Sequence, residues 1–274
     1  MIGRMIGRDA GAVRSALVTG LGGTVGRALG ARLRRDGVSV IGWDRSAVPI
    51  DQYHAMDAFI AEAAPDVVVN LAIASALTGR TNEAWLVNHE WPSELAWICR
   101  QRAIRFVHAS TAMVFSGAAT GPFTPASIPD ATEGYGHQKR SSEARVHHQN
   151  PDALVVRLGW QIGDQSGSNN MIDYLEREMR AHGHVRASTR WLPACSFLDD
   201  TADAIARLLV AAPGCYMIDA NTGWTFFEIA RALAAHHGGR WTIVETDDLV
   251  QDQRMIDPRV TVAPLSARLA SLAT

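Results

Sequence analysis

The chain has 274 residues, 47% of them hydrophobic, and a formal net charge of -2. That is enough to bury a full core, as one large α/β unit or a nucleotide domain with a smaller lobe, while the near-neutral charge without a long basic run argues against nucleic acid or an anionic membrane as partner. Cys99, Cys195 and Cys215 stand far apart with no Cys-x-x-Cys spacing, which fits inert thiols in a reducing compartment rather than a disulfide scaffold.

Met1 to Asp9 lacks the apolar core of a signal peptide, and no stretch offers eighteen uninterrupted apolar residues, so a cytoplasmic protein is expected. Residues 1–14, with a duplicated Met-Ile-Gly-Arg, are expected to form a loose extension or to reflect an upstream start codon. The first strand-like run, Ala16-Leu17-Val18, leads into Thr19-Gly20-Leu21-Gly22-Gly23-Thr24-Val25-Gly26 and then into residues 27–33 with helical spacing of the apolar positions. A glycine-spaced strand-to-helix turn of this kind suits a dinucleotide pyrophosphate. Gly20 and Gly23 allow a tight turn and close backbone approach, Gly26 allows helix to pack on strand, and the helix start at Thr24 and Val25 offers free N–H groups and a positive dipole end. A turn that binds nothing is the plain alternative.

The second strand, 38–43, ends at Asp44, where a carboxylate can reach the adenosine ribose hydroxyls and favour NAD(H). Arg45 beside it could pair with the 2′-phosphate of NADP(H) or stand as a solvated surface charge, so NADH and NADPH both stay open. The third strand covers 67–71. The fourth, 105–109, delivers Ser110 and Thr111 to the carboxyl edge of the sheet, where a hydroxyl can orient a substrate carbonyl; Thr111 is the preferred candidate, against a turn residue satisfying its own backbone.

Tyr135 and Lys139 follow at a spacing that puts them on one face of a helix, one turn apart. A cation beside the phenol and a cofactor ribose is expected to lower the tyrosine pKa, so that Tyr135 can give a proton to a carbonyl oxygen as hydride reaches its carbon. Metal chemistry finds no support in the ten histidines: His147-His148 are adjacent, His182-x-His184 and His236-His237 lack a third spaced ligand, and no His-Glu-x-x-His occurs.

Strands at 16–19, 38–43, 67–71, 105–109 and 154–158 alternate with helices near 24–35, 54–63, 82–102 and 134–148, the pattern of an α/β doubly wound parallel sheet of Rossmann type. The Gly- and Pro-rich stretch from Ser116 to Asp130 reads as a loop beside the active edge. Residues 15–160, with about 199–218 returning to them, are expected to form the dinucleotide-binding domain. About 161–198 and 221–274 are expected to form a substrate lobe.

With these residues in view the chain resembles the extended short-chain dehydrogenase/reductase superfamily, and within it the dTDP-4-dehydrorhamnose reductase-like sugar-nucleotide 4-ketoreductases. Pro65 to Ala72 is similar to the family's fourth strand and its Asn-Ala-Ala element, which places Asn70, Leu71 and Ala72 along the cofactor. Val87-Asn88 is similar to the Val-Asn of the following helix, and Ser110 to Phe115 to Ser-Thr-Asp-Tyr-Val-Phe, with Thr111 on the catalytic threonine. Val156 to Trp160 is similar to Leu-Arg-Thr-Ser-Trp, and Gly167-Ser168-Asn169-Asn170 to the Gly-Asn-Asn that opens the substrate region.

The resemblance implies an NAD(P)H-dependent reductase of a nucleotide-linked deoxysugar, with Ala112, Met113, Trp160, Asn169, Asn170, Arg190, Trp191 and Ser196 as substrate candidates. The tryptophans could stack on base or sugar and Arg190 could pair with the diphosphate, although core packing accounts equally for the tryptophans. Ala112 and Met113 replace the family's Asp and Tyr, so the substrate is expected to differ from the usual one. Dehydratases of the superfamily carry an Asp-Glu pair there; the apolar residues argue against elimination. An epimerase and a non-catalytic dinucleotide-binding regulatory subunit remain as alternatives, and a homodimer is possible.

Overall fold

The computed structural model describes residues 12–75, 78–165 and 169–273. Residues 1–11 of the expected extension, and Gly167 and Ser168 of the Gly-Asn-Asn-like element, lie outside the described residues. The chain opens with β1 (Ser15–Thr19), α1 (Thr24–Arg35), β2 (Ser39–Gly42), α2 (Tyr53–Ala63) and β3 (Val67–Asn70). After α3 (Glu83–Trp85), a π turn (Leu86–Glu90) and α4 (Trp91–Gln101) come β4 (Arg105–Thr111), α5 (Gly134–Gln149) and β5 (Leu154–Leu158). The remaining elements are β6 (Trp160–Ile162), α6 (Met171–His182), β7 (Val185–Ser188), β8 (Trp191–Leu192), β9 (Cys195–Phe197), α7 (Leu198–Leu208), β10 (Gly214–Ile218), α8 (Phe226–His236), β11 (Ile243–Thr246) and β12 (Gln251–Asp252).

Six strands form one parallel sheet in the order β2-β1-β3-β4-β5-β10. Strand alternation divides its apolar side chains between two helical layers. Ala16, Val18, Val67, Val69, Leu154 and Val156 pack with Leu29 and Leu33 of α1 and Ala202, Ile205 and Leu208 of α7. Their neighbours Leu17, Val68, Phe106 and Val155 turn the other way, onto Met56 and Ile60 of α2, Leu95 and Ile98 of α4, and Val146 of α5.

This is a Rossmann-like, doubly wound α/β sheet. Because β2 and β3 lie on opposite sides of β1, the chain reverses direction across the sheet there, and a crevice opens at the carboxyl ends of β1 and β3. Residues 67–70, similar to the family's fourth strand, are the third strand of this chain and pair directly with β1.

One expected helix is interrupted. Residues 83–101 form a helix broken by the π turn, and Pro92 supplies a cause: it has no N–H to give the Asn88 carbonyl, and its ring crowds that oxygen. Beyond β5, three two-stranded parallel pairs, β6-β9, β7-β11 and β8-β12, pack with α6 and α8 around Ile172, Leu175, Phe197, Phe226, Ile229 and Leu233. A separate cluster of Ala112, Val114, Phe115, Phe123, Ala194, Met217 and Met255 joins this region to the end of β4.

Candidate active site

The turn after β1 is built on contact as much as on conformation. Gly20 has φ +67°, and a Cβ there would stand 2.9 Å from the Ala72 backbone, so only glycine fits between the first turn and the segment leaving β3. Gly26 lies so close to the Gly20 carbonyl that a Cβ would come within 2.1 Å of it. Gly23 N donates to Gly20 O at 2.9 Å, and with no side chain at the N-cap position it leaves the N terminus of α1 without a side-chain cap. Uncapped N–H groups at a helix start suit an anion.

The residues after β3 are held from β1. Thr19 Oγ1 accepts from Leu71 N and Ala72 N, both at 3.2 Å, and donates to Asn70 Oδ1 at 2.6 Å. Asn88, on the π turn, accepts from Ala74 N at 3.0 Å and donates to Gln138 Oε1 of α5 at 2.8 Å. Asn88 thereby ties the segment after β3 to the helix that carries Tyr135 and Lys139. At the end of β2, exposed Asp44 accepts from the Ser46 backbone and hydroxyl, which holds its carboxyl below the usual range. Arg45 stands 3.9 Å from the Glu83 carboxylate.

Ser110 is buried, and its hydroxyl has no hydrogen-bond partner. Thr111 Oγ1 accepts from Met113 N at 3.2 Å, the local turn bond that its sequence position allows, and the remaining O–H is still able to donate. Helix α5 begins directly against this turn, because a Cβ on Gly136 would lie 2.1 Å from the Met113 carbonyl oxygen. Tyr135 is thus carried to the end of β4. An uncapped helix start, glycines at their closest approach and an orphaned buried hydroxyl together fit a dinucleotide lying across the crevice.

Lys139 is 1% exposed, and burial pushes its ammonium down to about 7. Its Nζ lies 3.3 Å from His108 Nε2, which also stands 3.1 Å from Ser142 Oγ; on the other side of the ring His108 Nδ1 lies 3.2 Å from Asn70 Nδ2. His108 is a buried neighbour of Lys139 that no sequence motif flags. Its one signal is an imidazole inside the apolar strand Phe106-Val107-His108, on the parity that faces α5.

The expected depression of the Tyr135 pKa does not hold for the protein alone. Burial pushes the phenol up to about 12, because a low-dielectric surrounding disfavours the phenolate. Behind Lys139, Arg157 of β5 gives two hydrogen bonds to Glu143 of α5, at 3.0 and 2.7 Å.

Several substrate candidates turn inward. Ala112 belongs to the cluster around Phe115 and Phe123, because the turn after Thr111 points it into the protein. Ser196 is fully buried, and its hydroxyl pairs with Thr201 Oγ1 at 2.7 Å. Asn170 caps α6 by accepting from Asp173 N and also gives its amide to Gln165 O. Trp160 stacks with Trp191 at 5.9 Å and packs with Tyr174 and Phe226, while Trp191 donates to Gln253. Met113, Asn169 and Arg190 remain exposed, Met113 at 53%. Among the described residues no cluster of His, Cys, Asp or Glu could hold a metal ion, and no helix is long and apolar enough to cross a membrane.

The profile of the RmlD substrate binding domain matches residues 14–246. The dTDP-4-dehydrorhamnose reductase of Mycobacterium tuberculosis is 29% identical over 273 residues, 96% of this chain and 88% of its own length. The dTDP-4-keto-6-deoxy-D-glucose reductase of Streptomyces niveus is 28% identical over 254 residues, 90% of this chain and 87% of its own. In fold, a crystal structure of dTDP-4-dehydrorhamnose reductase from Bacillus anthracis in complex with NADP superposes with a TM-score of 0.80 at 15% identity, covering 96% of this chain and 100% of that one. Relatives along nearly the whole chain are thus named as reductases, and the chain belongs to the RmlD substrate binding domain family.

Proposed function

We propose that this protein reduces the 4-keto group of a nucleotide-linked deoxysugar, using NADH or NADPH. The chemistry supplied by the bound dinucleotide is transfer of a hydride to the ketone carbon. Tyr135 gives the carbonyl oxygen its proton, Thr111 holds that oxygen through its hydroxyl, and Lys139 would hold the nicotinamide ribose. Ketone, hydride and proton together make the secondary alcohol, and the phenolate left on Tyr135 recovers its proton from solvent through the site.

The observation that carries this reading is the packing of Gly136 on the Met113 carbonyl, which brings the helix of Tyr135 and Lys139 onto the turn that bears Thr111. Relatives over nearly the whole length of the chain are named as reductases of dTDP-4-keto sugars, in line with the same class of substrate. The apolar residues Ala112 and Met113 after Thr111 leave no acid–base pair for elimination.

The test is turnover of dTDP-4-keto-6-deoxyglucose with NADH and with NADPH, followed by nicotinamide absorbance. Net consumption of reduced cofactor is expected, and Tyr135→Phe should lower kcat by at least about a hundredfold while leaving dinucleotide affinity within a few-fold. Interconversion without net consumption would identify an epimerase, and dinucleotide binding with no turnover of any keto-sugar would identify a binding subunit. Full turnover in Tyr135→Phe would remove the phenol from the mechanism.

A further inference from the structure

The hydrogen bonds behind Lys139 fix where a proton can reside. Thr19 Oγ1 already accepts two backbone N–H groups, so its own hydrogen goes to Asn70 at 2.6 Å, and the Asn70 atom receiving it must be the carbonyl oxygen. The Asn70 amide NH2 consequently faces His108 Nδ1 at 3.2 Å. An NH2 group only donates, so Nδ1 is the bare nitrogen and the neutral ring carries its hydrogen on Nε2.

That single Nε2–H is shared between Ser142 Oγ, 3.1 Å away, and Lys139 Nζ, 3.3 Å away. An ammonium has hydrogens and no lone pair, so a charged Lys139 would set donor against donor. An amine, which has a lone pair, is compatible with the ring.

We propose that His108 is a positioning residue that holds Lys139 as a neutral amine in the free protein, so that Lys139 takes up a proton from solvent when the ribose hydroxyls of NAD(P)H enter to accept from it. The proposal rests on the reading that Lys139 serves the dinucleotide. It makes cofactor binding and lysine charge a single linked event, and it accounts for the unassisted Tyr135 phenol of the protein alone: the cation that favours phenolate is formed only in the loaded site.

His108 Nε2 makes the hydrogen-bond approach to Nζ, at 3.3 Å. On its own helix Lys139 has Tyr135 one turn before it and Glu143 one turn after; Glu143, bonded to Arg157 of β5 at 2.7 Å, still favours the charged form of Lys139 and works against burial. His147, farther along α5, bears on the His108 ring, which burial, the largest cause, holds well below the usual imidazole range. β1 and β3 contribute the uncharged Thr19 and Asn70 to the network around His108 and the π turn carries the uncharged Asn88, while His89 stacks on Trp85 at 4.0 Å. Burial acts in the same direction as the His108 contact, holding Lys139 near 7.

Two measurements on the full chain test this. Nitrogen-15 NMR of the histidine rings without cofactor is expected to show His108 as the Nε2–H tautomer, uncharged from about pH 6 to about pH 9. An Nδ1–H tautomer would overturn the proposal whatever the protein's function. Calorimetric titration with NADPH in buffers of different ionisation enthalpy is expected to show uptake approaching one proton at about pH 8, falling toward zero at about pH 6, where Lys139 is already charged.

His108→Gln, whose amide can turn its carbonyl oxygen toward Nζ, should move the midpoint of uptake upward by about one pH unit or more. An unmoved midpoint would assign the uptake to burial alone and overturn the role of His108, as would uptake that persists in Lys139→Met. If NADPH does not bind the wild type, the function proposed above fails, and the tautomer still decides the role of His108.

Discussion

Arg157 on β5 holds both carboxylate oxygens of Glu143 on α5, and the two side chains are only 6% and 8% exposed. The pair locks the helix of the Tyr/Lys motif to the sheet one turn beyond Lys139, and the Arg157 guanidinium lies 5.1 Å over the Phe115 ring. Removing one partner strands a buried charge, so Arg157→Leu should cost about 3–5 kcal/mol in urea unfolding. Arg157→Leu combined with Glu143→Leu should be distinctly more stable than Arg157→Leu alone, because the stranded carboxylate is gone. A double variant as unstable as the single would show that the arginine acts through packing on Phe115 instead.

Gly26 tests the dinucleotide cradle by contact alone. A Cβ there meets the Gly20 carbonyl oxygen at 2.1 Å and Leu21 Cα at 2.8 Å, all backbone, so Gly26→Ala must push the turn away from α1. A loss of about 1–3 kcal/mol in stability is expected, with NADPH affinity, read by fluorescence titration, falling at least about tenfold. Gly22, where an added Cβ would meet nothing within 4 Å, is the stability control, and Gly22→Ala should stay within about 0.5 kcal/mol of wild type. Equal affinity in Gly26→Ala would remove the turn from cofactor binding.

The sheet and its first turn were legible because their signals are local. The unbroken β-branched run Val67-Val68-Val69 marks a strand buried on both faces, helical spacing follows Gly26, and the close approaches at Gly20 and Gly26 demand the residue that the sequence displays. Side-chain direction is a different matter. Ser196, Asn170 and Ala112 occupy segments that resemble a substrate region, yet each turns inward to a partner or a packing cluster, since a motif identifies a stretch of chain and the surrounding layers decide which way a short polar group faces. His108 was hidden for the opposite reason: a strand position two residues before Ser110 reads as core until Asn70, Lys139 and Ser142 arrive from β3 and α5. The direct pairing of β3 with β1 had no local signal at all, because strand order depends on contacts distant in sequence.

Met113 is the exposed apolar side chain nearest to Thr111 in the chain, at 53% exposure, where the family resemblance has tyrosine. An apolar side chain at this rim offers no hydrogen bond to a sugar hydroxyl, and one such bond contributes about 0.5–1.5 kcal/mol. Met113→Tyr should therefore lower KM for dTDP-4-keto-6-deoxyglucose by about three- to tenfold while leaving kcat and NADPH affinity near wild type. Steady-state kinetics with saturating cofactor makes the comparison. A raised KM would indicate that the site is shaped around the thioether and that a less hydroxylated sugar is preferred.

Lys139 is held at a cost to the fold that can be read against pH. Its folded-state pKa is lowered to about 7 by burial, below the value of about 10.4 for an exposed lysine. Between these two values the unfolded chain binds the extra proton, so stability rises with pH across the window and falls as the pH drops toward about 7. Tyr135 has the opposite sign but titrates between about 10 and about 12, above most of that range. Lys139→Met has no group to titrate and similar length. Chemical denaturation should find it more stable than wild type by at least about 1 kcal/mol near pH 7, with the advantage shrinking toward pH 10. Turnover should be lost at both pH values. A stability difference that does not change with pH would mean that Lys139 keeps an ordinary affinity for its proton in the folded chain, and that its burial is relieved by water reaching the ammonium.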